Sequence, residues 1–365
     1  MSNNIKHDRR RRILFTGGGS AGHVTVNAAL IPAFIAQGWD VSYMGSMHGI
    51  ESQLIQRFSG VAYHGISTGK LRRYADVQNL KDPFRVVKGT LQAFRIIREL
   101  RPDVLFSKGG FVSVPVVLGA WLNRVPVIIH ESDLTPGLAN RIAIPFASKV
   151  CVTFKETVRQ MSRDKAVHIG PIIREELSRG IPERGLKWCG FTSGKPVLLI
   201  MGGSLGSQKI NQMIRRHAQQ LTRTFQIIHI CGKGQLDTTV QLPEYKQFEY
   251  IHDELADAVA CADIVISRAG SNSIFEFLAL GKPMLLIPLS KEASRGDQIL
   301  NARSFEEQGY CEVLLEEEMT DDSFMRAVAS VYARRGEIKE SMTRMITGDA
   351  ITQVIELIRD IAKKQ

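Results

Sequence analysis

Short apolar runs alternate with amphipathic stretches along the whole chain. In the first half the runs fall at 13–15, 41–44, 104–107, 127–129 and 150–153. In the second half they fall at 197–201, 226–230, 248–251, 264–267 and 284–287. Continuous Val, Ile and Leu runs of this length, separated by helical patterns, predict parallel strands covered on both faces. That is the doubly wound α/β class. Ile351, Val354, Ile355, Ile358 and Ile361 share one face of a last helix predicted over about 350–364. This helix packs on its own domain or crosses back to the first. The most apolar stretch, 111–129, is broken by Pro115, Asn123, Arg124 and Pro126. It predicts a helix and then a strand rather than a membrane span.

Two internal repeats run through the pattern. ILFTGGGSAGH at 13–23 matches VLLIMGGSLGS at 197–207, pairing Gly18 with Gly202, Ser20 with Ser204, Gly22 with Gly206 and Asn27 with Asn211. PDVLFSKGG at 102–110 resembles ADIVISRAG at 262–270. Two nucleotide-type domains follow, facing one another across a cleft. The first repeat recurs after 184 residues and the second after 160, so the first half holds 24 additional residues between its motifs. The segment 68–91 is their predicted place. It is basic, with Lys70, Arg72, Arg73, Lys81, Arg85 and Lys88 against Asp76 and Asp82. Val87, Leu91, Phe94 and Ile97 then predict one helical face. Pro171, Pro182 and Pro196 with scattered glycine and charge predict an exposed linker within 170–195.

At 365 residues the chain can bury two cores, and 44% hydrophobic with 23% charged residues describes an ordinary soluble globular protein. The net charge of +10 and pI near 9.4 predict an anionic partner (nucleic acid, a phosphate-rich substrate or an anionic membrane) or a generic solubility charge. Cys151, Cys189, Cys231, Cys261 and Cys311 are scattered, odd in number and lack a Cys-x-x-Cys pair. They predict neither a disulfide framework nor a zinc site, and a reducing compartment. Arg9 to Arg12 run directly into a strand without the apolar core of a signal peptide.

A buried strand passing through glycines into a helix aims N–H groups at an anion, usually phosphate. The run at 41–44 ends in Gly45-Ser46, without the acidic residue that holds a ribose in dinucleotide enzymes, which disfavours a dehydrogenase. His23 is a capping or packing histidine, or a group that bonds phosphate or assists proton transfer. Ser204 adds a hydroxyl to its turn, or simply caps the helix. In SRAGSNSIFE at 267–276, small residues let a ligand approach the backbone, and Glu276 can accept two sugar hydroxyls or serve a capping box. Gln298 can read sugar hydroxyls and Arg174 can meet a phosphate, or both are surface groups. No Asp-x-Asp occurs. A leaving diphosphate would therefore be stabilised by helix N-termini and cations rather than a bridging metal.

The motifs GGGSAGH, HESDLTPGLANR, GGSLGS, SRAGSNSIFEFLALGKPMLLIPL and the DQ at 297–298 together resemble the MurG family, along nearly the whole chain. These enzymes transfer N-acetylglucosamine from its UDP conjugate to the lipid-linked N-acetylmuramyl-pentapeptide of peptidoglycan synthesis. The HESD form is similar to that of low-GC Gram-positive bacteria.

The resemblance implies a GT-B fold of two Rossmann-like domains. These are an acceptor and membrane domain at 1–168, a linker at 169–195, a donor domain at 196–347 and a helix at 348–365 returning to the first domain. It implies inverting transfer to the 4-hydroxyl of the muramyl sugar, with no cofactor and no metal. Arg174 and Ser204 would lie near the donor phosphates and Ile251 near the uracil. Glu276 would hold the ribose, and Ser271, Asn272, Ser273 and Gln298 the sugar. Ser20, Ala21 and Gly22 would face the acceptor diphosphate, and His23 or Asp133 would be the general base.

Five residues at three places depart from the Gram-negative pattern, which has asparagine at Asp133, Asn-Pro at Pro171-Ile172 and Leu-Thr at Asn272-Ser273. With the family in view, Arg72, Arg73, Lys81, Phe84 and Lys88 predict contact with an anionic membrane from the cytoplasmic side. Cell-wall synthesis proteins are expected as further partners, and nucleic acid is not. The competing readings are another GT-B UDP-sugar transferase, such as a diacylglycerol glycosyltransferase, and a non-enzymatic nucleotide- or nucleic-acid-binding protein.

Overall fold

The computed structural model describes residues 9–20, 22–69, 82–162, 164–203, 206–292, 294–344 and 349–363. They form two compact units. One takes in the chain up to Ser132, residues 136–172 and the last helix, Ala350–Lys363. The other takes in residues 133–135 and the chain from Ile173 onward to that helix.

Each unit is built on one parallel sheet. In the first, β1 (Arg12–Thr16), β2 (Asp40–Ser46), β3 (Val61–Ile66), β4 (Val104–Ser107), β5 (Val127–Glu131), β6 (Lys149–Val152) and β7 (Ala166–His168) lie in the order β3-β2-β1-β4-β5-β6-β7. In the second, β8 (Val197–Met201), β9 (Gln226–Ile230), β10 (Tyr245–Phe248), β11 (Ile264–Ser267), β12 (Met284–Leu286) and β13 (Cys311–Val313) lie in the order β10-β9-β8-β11-β12-β13. The order reverses beside β1 in one sheet and beside β8 in the other. That reversal opens a crevice at the carboxyl ends of the strands, where such sheets bind ligands.

The sequence repeats have physical reasons. At the start of each sheet a carboxylate closes the strand ends. Asp103 Oδ2 accepts from Arg12 N at 2.7 Å, and Asp263 Oδ2 from Val197 N at 2.8 Å. The paired asparagines hold the glycine turns. Asn27 Nδ2 donates to Thr16 O at 3.0 Å, and Asn211 Nδ2 to Cys231 O at 2.9 Å. In the second unit the fully buried His229 lies 2.9 Å from Asn211 Oδ1 and 2.7 Å from the Tyr245 hydroxyl. Burial, and then the nearby Arg215 charge, bring its pKa down to about 3, so the ring is neutral. In the first unit Tyr43 plays the corresponding part, donating its hydroxyl to Gly17 O at 2.7 Å.

The last helix belongs to the first unit. Val354, Ile355, Ile358 and Ala362 join Phe15, Phe34, Trp39 and Phe106 in one core. Burying Val354 and Ile358 contributes roughly 1.5–3 kcal/mol each.

Several expectations change. β10 lies at 245–248, three residues before the predicted run at 248–251, and β3, β7 and β13 had no predicted counterpart. The segment 169–195, expected as an exposed linker, carries the helices Glu175–Ser178 and Pro182–Cys189. They pack on the helix Leu255–Cys261. Asp257 accepts from Ile181 N at 2.7 Å and from Arg184 at 2.8 Å, and Leu177, Cys189 and Phe191 are buried. The predicted face of Val87, Leu91, Phe94 and Ile97 divides on the helix Asp82–Leu100. Ile97 is buried beside Ala93, whereas Val87 and Leu91 are exposed.

Candidate active site

In the second unit, Glu276 stands one turn into the helix Ser271–Ala279, which follows β11. It is buried, and Arg174 grips its carboxylate in a bidentate pair, Nε to Oε1 at 2.7 Å and Nη2 to Oε2 at 2.9 Å. The pair uses one lone pair on each oxygen and leaves one on each for further hydroxyl donors. Gly270 caps this helix and supplies no side-chain acceptor to its first turn. Ser271 is buried, and Asn272 and Ser273 are half-buried on that turn.

Gln298 lies in the first turn of the helix Asp297–Glu307, and its Oε1 accepts from Leu289 N at 3.1 Å. Ile251 is buried just beyond the end of β10. Ser204 lies outside the described residues. The cap of the helix Gln208–Leu221 falls on Ser207, whose side chain accepts from Ile210 N. Gly206, at φ +74°, presses on the Cys231 carbonyl so closely that no Cβ fits there. The turn is therefore locked to the same carbonyl that Asn211 holds.

Asp133 groups with the second unit. Its Oδ1 accepts from Asn301 Nδ2 at 3.0 Å, while Asn301 Oδ1 accepts from Leu134 N at 3.0 Å. Asn301 is fully buried and also donates to Ala269 O at 3.2 Å, tying residues 133–134 to the end of β11.

In the first unit the turn after β1 leads into the helix Gly22–Ala36. Ser20 and Gly22 are exposed, and His23 is half-buried, its N–H donating to Ser20 O at 3.2 Å. Ala21 lies outside the described residues. Gly110, at φ +81°, lets the β4 turn lie directly against Gly18 O and the His23 ring. Phe84, Val87 and Leu91 are 78%, 60% and 56% exposed on the helix Asp82–Leu100, an unusual concentration of open apolar surface, with exposed Lys88 beside them. Arg72, Arg73 and Lys81 lie outside the described residues.

The glycosyltransferase family 28 N-terminal domain matches residues 13–152, and the family's C-terminal domain matches residues 197–358. The UDP-N-acetylglucosamine–N-acetylmuramyl-(pentapeptide) pyrophosphoryl-undecaprenol N-acetylglucosamine transferase of Geobacillus thermodenitrificans is 58% identical over 355 residues, 97% of this chain and 100% of that protein. The transferase of the same description from Oceanobacillus iheyensis is 55% identical over 353 residues, 97% of this chain and 99% of that one. The chain belongs to the MurG family. Acinetobacter baumannii MurG superimposes with a TM-score of 0.76 at 25% identity, covering 96% of this chain and 99% of that one. The calicheamicin glycosyltransferase CalG4 shares the fold, at a TM-score of 0.72 and 14% identity over 98% of this chain and 99% of that one. The MurG resemblance read from the motifs, and the GT-B fold it implied, are therefore borne out.

Four residues of this MurG-family chain escaped the sequence reading. Glu51, fully buried on the helix Ile50–Ile55, accepts from Gly19 N at 3.2 Å, from Ser46 N at 3.0 Å and from the Ser46 hydroxyl. A protein carboxylate thus already engages one N–H of the first glycine turn. Lys108 and Arg268 are equivalent in the second repeat. Each follows a buried strand, is itself buried, and donates to a serine hydroxyl: Lys108 to Ser132, and Arg268 to Ser207 at 2.7 Å. Their signal was present as a cation directly after an apolar run in both halves. Arg268 also pairs with Glu316, which Lys209 approaches at 3.1 Å. Burial alone would raise the Glu316 carboxyl, but the two cations hold it below the usual range. Asn301, the fourth, carries no motif signal.

Proposed function

We infer that this protein transfers N-acetylglucosamine from UDP-N-acetylglucosamine to the 4-hydroxyl of the undecaprenyl-pyrophosphoryl-linked N-acetylmuramyl-pentapeptide. The end-to-end identity to transferases of that description carries the reading. The bidentate Arg174–Glu276 pair supports its donor end.

The donor roles then follow from chemistry. Glu276, oriented by Arg174, offers its two remaining lone pairs to the adjacent ribose hydroxyls. The N-terminus of the helix at Ser271, with Asn272, Ser273 and Gln298, receives the sugar. Arg174, Arg268 and the glycine turn at 202–206, Ser204 included, supply positive potential for the diphosphate that leaves. Ile251 borders the uracil. In the acceptor half, Gly19 N is engaged by Glu51, so the Ser20, Ala21 and Gly22 loop would meet the acceptor diphosphate through its other groups. The acceptor oxygen attacks the anomeric carbon as the bond to UDP breaks, and its proton passes to His23 or Asp133.

The test is turnover of UDP-N-acetylglucosamine with a lipid-pyrophosphoryl-muramyl acceptor and, in parallel, with diacylglycerol. Product only from diacylglycerol refutes the assignment. A His23→Ala variant that keeps near-normal turnover removes that histidine as the base.

The exposed Phe84, Val87 and Leu91 with Lys88 support peripheral contact with an anionic membrane on the cytoplasmic side, where the acceptor's lipid is anchored. Among the described residues no helix is long and apolar enough to cross a membrane. Each basic residue near such a surface contributes about 1 kcal/mol. Phe84→Glu with Lys88→Glu should release the protein from phosphatidylglycerol vesicles in sedimentation, and unchanged binding would refute the contact.

A further inference from the structure

The amino-terminal end of the first sheet, opposite its own glycine turn, carries a concentration of arginines that the transfer reaction does not use. A recess of about 620 Å³ is lined by Arg12, Arg95, Arg98, Arg101 and Glu99. A second, of about 330 Å³, shares Arg98 and Arg101 and adds Arg9, Asp103 and Arg124. Both open where β1 and β4 begin, whereas the glycine turns lie where those strands end.

Part of this charge has a structural purpose. Arg9 and Arg12 donate to the carbonyls of Arg101 and Leu100 at 2.8 and 3.0 Å, completing the C-terminus of the helix Asp82–Leu100. Arg9 also approaches Asp103 at 3.9 Å, and Arg12 approaches Asp40 at 3.8 Å. Arg95, Arg98 and Arg101 differ. Among the described residues, none of their guanidinium groups makes a hydrogen bond or ion pair. Arg95 and Arg98 are neighbours at i,i+3 on one helix, an arrangement that repels unless an anion lies between them.

The backbone adds an independent observation. Among the described residues, every positive-φ position is glycine except two, Arg101 at +49° and Arg124 at +60°. Each follows a helix end, where glycine is the unstrained choice, and Arg101 also precedes a proline. Two strained arginines at the rim of the same recess point to retention for their side chains rather than for the turn.

We propose that the arginine recess at the amino-terminal edge of the first sheet binds a phosphate-bearing anion, separately from both substrates of the transfer reaction. The anion is a lipid headgroup phosphate or a small soluble phosphate. Both present the oxygens that guanidinium forks recognise.

The test compares wild type with Arg95→Gln/Arg98→Gln in two arms, titration with inorganic pyrophosphate and sedimentation with vesicles of phosphatidylglycerol and phosphatidylcholine. Other anion sites are common to both proteins, so only the difference is read. Weakening of at least tenfold in the pyrophosphate arm alone identifies a soluble ligand. Weakening in the vesicle arm alone identifies a headgroup. Equal binding in both arms overturns the proposal. Arg101→Gly distinguishes a ligand role from a role in the fold. It should weaken the same arm while the thermal midpoint holds or rises by about 2–4 °C, because strain is relieved. A lowered midpoint with unchanged binding also overturns the proposal.

Discussion

Lowering the pH should loosen the second unit through a single residue. His229 is fully buried between Asn211 and Tyr245, and its folded pKa is about 3 against 6.5 for an ordinary histidine. The unfolded chain therefore binds a proton that the folded chain refuses. Stability is intact above pH 6.5 and is lost as pH falls from 6.5 toward 3. At about 1.4 kcal/mol per unit, pH 5 costs about 2 kcal/mol from this ring alone. With a urea slope near 2 kcal/mol/M, the midpoint should fall by about 1 M. Trp188 stacks on Phe248 with ring centroids 4.5 Å apart, and Phe248 lies beside Ile230 on β9. With Trp39 and Trp121 replaced by Phe, its fluorescence reports on this unit. His229→Gln keeps a neutral hydrogen-bonding side chain that does not titrate in this range, so its loss between pH 7.5 and 5 should be smaller by about the same 2 kcal/mol. If wild type and variant lose stability in parallel, the neutral buried histidine is not the source and the reasoning fails.

Glu276→Gln should raise the KM for UDP-N-acetylglucosamine by about 10–100-fold in steady-state assays, the scale of charge-assisted hydrogen bonds, and should also lower the thermal midpoint, because Arg174 loses its ionised partner. Glu51→Gln leaves the Gly19 and Ser46 N–H groups poorly matched. It should cost about 1–3 kcal/mol in urea unfolding and lower turnover without altering donor KM. Ile358→Ala, at a fully buried position of the last helix, should destabilise the first unit by about 2–5 kcal/mol, read from denaturant midpoints.

Most of the nine interior strands were legible because they are buried on both faces and read as apolar runs; β2, with Ser42 half-buried, was legible from Val41, Tyr43 and Met44. The four edge strands were not. β3 carries Tyr63 and His64 half-buried and Ala62 and Gly65 exposed, and β7 and β13 are three residues long. β10, YKQF, is polar at its centre, which drew the prediction three residues along to Phe248 and Ile251. The candidate site was legible where its residues sit in one continuous segment, as from Ser267 to Glu276. It was not where partners come from afar. Arg174 and Glu276 are 102 positions apart, and the Asn301 and Asp133 side chains meet across 168. Glu51 was missed because its helix folds back onto a turn 32 residues earlier.

The last helix sets a timetable for the chain's synthesis. The first unit is largely complete in sequence by Ile172, yet its core awaits Val354, Ile355 and Ile358. At ~5–20 residues per second, the ribosome needs on the order of ten seconds or more to deliver them. Until then the surface around Phe34 and Trp39 that they cover stays open, while the second unit can already close its own core. The half whose chain emerges first is thus the half that finishes folding last. A chaperone that shields apolar surface during translation would find its longest-lived target there.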